Sequence, residues 1–102
     1  RAMAFLMLDQ KQQVLGIGRL AADPDHQRAE FAVAVRSDLK GHGLGRLLMQ
    51  RLMQYAKNRG TGELIGDVLE ENAAMLALAR ELGFSVASLA GSPGIIRVSV
   101  KL

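Results

Sequence analysis

Apolar residues fall along the chain in two kinds of run. Short, nearly continuous runs occur at Met3 to Leu8, Val14 to Ala21, Glu30 to Val35, Glu63 to Leu69, Phe84 to Leu89 and Ile95 to Val100. Runs of this length between polar or glycine-rich turns predict strands. Gly16 and Gly18 in the second run mark a bulge or a close approach. The Ala, Val and Phe content of the third predicts burial on both faces. Two stretches instead show helical spacing. Leu44, Leu47, Leu48, Leu52, Tyr55 and Ala56 predict a helix from Leu47 to Ala56, stopped at Asn58-Arg59-Gly60. Met75, Leu76, Ala79 and Leu82 predict a second, with Asn72 as its N-cap and Gly83 at its end.

The order is therefore β-β-β-α-β-α-β-β. Short turns between the first three strands, among them Asp23-Pro24-Asp25, favour antiparallel pairing. The strand–helix–strand from Glu30 to Leu69 favours a parallel crossover. The expected fold is α/β with a mixed, mostly antiparallel sheet, a central parallel strand pair and two flanking helices. Residues 1–102 are one domain's worth of chain, with 49% hydrophobic residues to form a core. Arg1 is not a natural start and the next residues already read as a strand, which predicts a fragment of a longer chain.

Charge alters this picture little. The net charge of +3 comes from dispersed basic residues, and aromatics make up 4%, too few for a stacking platform, so nucleic acid is not an expected partner. The chain has no cysteine, which excludes disulfides, thiolate metal sites and a cysteine nucleophile. It fits a reducing cytoplasm. No apolar run approaches the roughly 20 residues of a membrane span, and no signal-peptide pattern appears.

The densest chemistry lies at Lys40-Gly41-His42-Gly43-Leu44-Gly45-Arg46, between the third strand and the first helix. Glycine lets backbone approach a ligand closely, and a helix N-terminus presents free N–H groups and partial positive charge. Together they form an anion cradle. A dinucleotide fingerprint needs G-x-G-x-x-G, whereas these glycines stand at 41, 43 and 45. A P-loop needs Lys-Ser/Thr after its last glycine, and here Arg46-Leu47 follow. Lys40, His42 and Arg46 flank the cradle, where cations oppose the helix dipole unless an anion is bound.

What remains, a basic residue then x-x-G-x-G after a strand and opening a helix, resembles motif A of the GNAT superfamily of acyl-CoA N-acyltransferases. The Asn72 to Gly83-Phe84 spacing resembles that superfamily's motif B helix. Three stretches are further similar to the acetyltransferase domain of Pat-type bacterial protein lysine acetyltransferases: Arg19-Leu20…Ala22-Asp23-Pro24-Asp25…Arg28-Ala29-Glu30-Phe31-Ala32-Val33, Asp38 to Met49, and Gly66-Asp67-Val68-Leu69…Glu71-Asn72…Met75-Leu76. The resemblance implies a fold whose first strand and two helices precede Met3. It implies acetyl-CoA as co-substrate, its pyrophosphate on the amides of Gly41, His42, Gly43, Leu44 and Gly45. It implies a protein lysine on a metabolic enzyme, such as acetyl-CoA synthetase, as acceptor, and attachment to an acyl-CoA-synthetase-like region in the full-length chain.

Amide formation from a thioester needs a neutral amine, and a lysine is neutral only about once in a few thousand molecules at pH 7. Glu30 is the expected general base, among apolar neighbours that desolvate it, at the position of the catalytic glutamate in the resembling enzymes. The plainer alternative is a solvated strand-end glutamate paired with Arg28. A backbone N–H among Val33, Ala34 and Val35 is the expected oxyanion donor, on a strand that the superfamily splays from the next. Many small-molecule enzymes of the superfamily place a tyrosine seven residues after the motif B asparagine; Ala79 stands there. Tyr55 reads as packing. Without cysteine, direct transfer in a ternary complex is expected. Asn72 caps its helix, contacts the pantetheine arm, or both; Met75 and Leu78 line that arm or belong to the core. His26 reads as surface, and two distant histidines make no metal site. A small-amine acyltransferase and a non-catalytic acyl-CoA-sensing module are the competing readings.

Overall fold

The computed structural model describes residues 2–25, 27–39, 41 and 43–102. The first three strands, β1 (Ala2–Leu8), β2 (Val14–Ala22) and β3 (Arg28–Val35), form an antiparallel meander. Asp9 closes its first turn by accepting hydrogen bonds from the Lys11 and Gln13 N–H groups at 2.8 and 2.9 Å. This competition with ladder bonding is why aspartate favours turns. A short 3₁₀ turn at Ser37–Leu39 leads to α1 (Leu44–Asn58). The chain returns through β4 (Glu63–Leu69), parallel to β3, then α2 (Ala73–Glu81), β5 (Ser85–Ser88) and β6 (Ile95–Lys101). The sheet order is β1-β2-β3-β4-β6-β5, with β3/β4 the parallel pair and the other pairings antiparallel. The mixed α/β fold expected from the sequence is therefore present, with element ends shifted by one to three residues.

Strand register decides which residues face the helices. Gly18 pairs with Val33 and Leu20 with Phe31, so β2 and β3 present these residues to one side. Leu64, Gly66 and Val68 of β4 and Val98 of β6 follow on that side. Met49 and Leu52 of α1 and Leu76 and Ala79 of α2 join one buried cluster with Phe31, Leu64 and Val98. Both helices thus cover the same face. Gly16 and Gly18 serve close approach: a Cβ on them would stand 3.0 Å from Leu48 Cδ1 and 3.3 Å from Leu52 Cδ1.

The opposite face carries Ala4, Leu6, Arg19, Glu30, Ala32, Asp67 and Arg97, and no described element covers it. Leu6 and Leu69 are 56% and 53% exposed there. This corrects the expectation that β3 is buried on both faces. Its burial alternates, with Ala29 and Phe31 inside and Glu30, Ala32 and Ala34 outside. The physical reason is the shared side of the two helices, which no periodicity within β3 reports.

Candidate active site

The parallel pairing of β3 with β4 runs only from Arg28↔Glu63 to Glu30↔Ile65. β3 continues to Val35 against β2, so from Phe31 onward its β4 side has no strand partner among the described residues. Beyond this split lies a cavity of about 520 Å³. Val33, Ala34 and Val35 form one wall, Gly41, Gly43, Leu44, Gly45 and Arg46 the floor, and Asn72 and Met75 the far side. Val33 and Ala34 point to opposite faces of the sheet, yet both line it, so the cavity wraps the free edge of β3. Ten of the twelve residues expected to hold a cofactor are thus brought together. The other two, Lys40 and His42, lie outside the described residues, as does His26.

The floor is built for an anion. Gly41 and Gly43 adopt φ of +88° and +79°. Left-handed backbone of this kind costs a side-chain-bearing residue roughly 1–2 kcal/mol, which explains glycine at both positions. Gly43 is the N-cap of α1, and among the described residues no side chain caps that helix. The N–H groups of its first turn have no intrahelical partner. The helix has 15 residues and no acidic residue in its first turn, so a bound anion would meet dipole and amides together. Gly45 differs from the other two glycines: it is already helical, and a Cβ there would make only ordinary contact with Leu78, at 3.7 Å.

On the far side, Asn72 caps α2 by accepting from the Met75 N–H at 3.2 Å. Its capping and its place on the cavity wall are compatible. Leu39, Ala74, Ala77, Leu78 and Glu81 also line the cavity and were not expected to, apart from Leu78. Glu81 forms an ion pair with Arg46, tying α2 to the start of α1 across the rim. The spacing of small and apolar residues along α2 carries the signal for Ala74, Ala77 and Leu78. Glu81 carries none, because its partner is 35 positions away.

Glu30 stands at the last paired position before the split, on the uncovered face. It is exposed. The desolvation expected from its apolar neighbours is absent, because strand alternation turns Ala29 and Phe31 to the helix side. Arg28, its candidate partner, instead pairs with Glu63 at 2.8 Å. Among the described residues the Glu30 carboxylate makes no hydrogen bond. It borders a shallow hollow of about 500 Å³ floored by Ala4, Arg19, Ala21 and Ala32. Across the split, Asp67 and Arg97 face each other on β4 and β6. The Arg97 guanidinium, hydrogen-bonded to Asp67, holds that carboxyl below the ordinary carboxylate range. Tyr55 packs edge-on against Phe5, with centroids 5.4 Å apart, as its place on α1 predicts. No group of three or more His, Cys, Asp or Glu side chains suited to a metal occurs among the described residues. No helix among them is long and apolar enough to cross a membrane.

A glycine turn feeding an uncapped helix beside a split parallel strand pair is the arrangement that motif A implied. Residues 1–84 match the Acetyltransferase (GNAT) family. The chain belongs to that family. A [Ribosomal protein bS18]-alanine N-acetyltransferase of Salmonella typhimurium is 32% identical over 84 residues, which cover 82% of this chain and 55% of that protein. An L-methionine sulfoximine/L-methionine sulfone acetyltransferase of Pseudomonas aeruginosa is 39% identical over 57 residues, covering 56% of this chain and 33% of that protein. The chain thus spans about half the length of these curated relatives or less. The GNAT domain of S. lividans PAT superposes with a TM-score of 0.85 over 99% of this chain and 61% of that one, at 19% identity, a likeness of fold.

Proposed function

We propose that this GNAT domain transfers the acetyl group of acetyl-CoA to the ε-amine of a lysine on a protein, with Glu30 as general base. The observation that carries the reading is the cavity at the split end of β3. It joins an anion-binding helix start to a strand edge with free backbone donors. The residues fit acetyl-CoA as co-substrate. The amides of Gly41 to Gly45 would take the pyrophosphate, Asn72, Met75 and Leu78 would flank the pantetheine arm, and the free edge of Val33 to Val35 would receive the thioester carbonyl.

Chemistry follows from this placement. Glu30 takes a proton from the acceptor ammonium. The neutral nitrogen attacks the thioester carbon while the strand amides hold the developing oxyanion. The carbon–sulfur bond then breaks, the thiolate, with an ordinary thiol pKa near 8.5, leaves without a dedicated acid, and the nitrogen gives up its surplus proton to that thiolate or to water. Glu30 lies three residues before Val33, roughly 10 Å along the strand, so it reaches the amine through water. Its exposed position suits an acceptor that arrives from the uncovered face.

A second reading is favoured by the relatives' names: acceptance of a protein's N-terminal α-amine, or of a small amino acid derivative. Initial rates with acetyl-CoA and three acceptors separate the readings: an internal-lysine peptide with a blocked N-terminus, a lysine-free peptide with a free N-terminal alanine, and methionine sulfoximine. Preference for the lysine peptide is expected, with kcat at pH 7 reduced at least about tenfold in Glu30→Gln while coenzyme A binding is retained. Unchanged kinetics in Glu30→Gln would remove the glutamate from the mechanism. Coenzyme A binding with no transfer to any of the three amines would favour a sensing module.

A further inference from the structure

Asp67 lies two residues beyond Ile65, the partner of Glu30, and on the same uncovered face. The two carboxylates therefore flank the point where β3 and β4 part, Glu30 on one strand and Asp67 on the other. Asp67 does not hang free. Its register partner Arg97 grips it with two hydrogen bonds, Nε to Oδ1 at 2.9 Å and Nη2 to Oδ2 at 3.2 Å. Glu30 also acts on Arg97 through its charge. The Arg28–Glu63 pair and Lys101, opposite Glu63, stand at the near end of the strands, while Arg19 on β2, the register partner of Ala32, borders the Glu30 hollow from the other side of β3.

Resting on the lysine-acetyltransferase reading above, we propose that Asp67 determines acceptor specificity: fixed by Arg97, its carboxylate binds the incoming ammonium on the β4 side of the split and presents it to Glu30. The two carboxylates divide the work by environment. Asp67 is clamped by a guanidinium and stays ionised, so it attracts the cation without taking its proton. Glu30, whose carboxylate makes no hydrogen bond among the described residues, is the base of the reading above. Asp67 forms and breaks no covalent bond. The same clamp sets a preference against acceptors that carry a carboxylate beside the amine. Asp67 and Glu30 repel that carboxylate, and the guanidinium on the β4 side, that of Arg97, is already engaged.

The test is steady-state kinetics of Asp67→Asn, an isosteric change at an exposed position. The acceptors are Nα-acetyl-lysine amide and methionine sulfoximine. The expected result is a KM for the lysine amide raised by roughly fivefold, as for loss of one partly exposed charge-assisted contact. The kcat and the KM for acetyl-CoA should stay within about twofold of wild type. Discrimination against methionine sulfoximine should narrow, since the substitution releases Arg97. An unchanged KM for the lysine amide, or a loss confined to kcat, overturns the proposal. A companion measurement does not depend on turnover. Titration of the wild-type protein with Nα-acetyl-lysine amide should shift the amide resonances of Gly66 to Val68, and Asp67→Asn should abolish the shift. If no amine is acetylated but this shift appears, the transferase reading fails and the binding role of Asp67 stands; if the shift is missing, the binding role fails too.

Discussion

The ring of Phe31 lies directly over Gly66, where a Cβ would come within 2.4 Å of Phe31 Cε1 and 2.5 Å of its Cζ. The ring also meets Phe84 edge-on, with centroids 5.6 Å apart. Phe31 follows Glu30 and Gly66 precedes Asp67, so this contact fixes the backbone of both strands where they part. Because the ring is held between a strand and a second aromatic, it cannot yield to a methyl group. Gly66→Ala is therefore expected to lower stability by about 1–3 kcal/mol, read from the midpoint of urea unfolding. An unchanged midpoint would show that Phe31 moves freely.

Gly43→Ala tests the anion floor. No atom of the described residues stands within 4 Å of a Cβ there, so the substitution acts chiefly through backbone conformation. A cost of about 1–2 kcal/mol is expected from the left-handed φ, together with weaker coenzyme A binding by calorimetry. Gly91→Ala is the control. Its φ is +80° and no atom lies near its Cβ position, but it is not part of the cavity. It should show a similar stability cost with coenzyme A affinity intact. Equal affinities in the two variants would remove the turn at Gly43 from the binding site.

Asn72→Ala removes the side-chain acceptor at the start of α2 and should cost about 1 kcal/mol. Asn72→Ser restores a capping oxygen on a shorter side chain. Recovery of thermal stability without recovery of coenzyme A affinity is the expected outcome. Recovery of both would limit Asn72 to capping.

Glu81 places a carboxylate at the rim of a cavity otherwise suited to an anion, and it occupies Arg46. Both side chains are about half exposed, so their pairing contributes little to stability, on the order of 0–1 kcal/mol. Glu81→Gln should leave the melting temperature nearly unchanged. It should tighten coenzyme A binding by up to about fivefold at low salt, by freeing Arg46 for phosphate. Weaker binding would instead assign Glu81 a favourable contact with the ligand.

The Asp67–Arg97 pair predicts a pH signature. The folded Asp67 carboxyl titrates below its unfolded value, near 3.9, chiefly because of the hydrogen bond from Arg97. Its stabilisation is therefore complete above about pH 4 and declines as pH falls through the lower folded value. The pair is 38% and 43% exposed, so the contribution is at most about 1 kcal/mol after solvent screening. Asp67→Asn should lower stability slightly at pH 6 and converge with wild type once pH has fallen through the lowered folded value of Asp67, in urea titrations. A difference that persists at low pH would assign the loss to packing instead of charge.

Much of the site could be read without coordinates because it depends on neighbours in sequence. A strand, a glycine turn and a helix following one another bring Val33 to Val35 and Gly43 to Arg46 around one cavity. Asn72 is recognisable as a cap because capping acts over three residues. Glu30 was identified by type and position, but its surroundings were misjudged. Its exposure depends on which face the helices choose, and Ala29 and Phe31 look equally apolar in either arrangement. The ion pairs of Glu81 and Asp67 could not be read for a related reason: their partners Arg46 and Arg97 stand 35 and 30 positions away.

By itself, then, the sequence determined the order of strands and helices, the glycine turn that demands positive φ, and the anion-seeking helix start. Each of these follows from periodicity or backbone sterics within a few residues. Tertiary structure alone decided that both helices share one face, that β3 and β4 part after Glu30, and that Asp67 stands on β4 just past that parting in the grip of Arg97. Those outcomes rest on register between strands distant in the chain, and register is set by how the whole core packs.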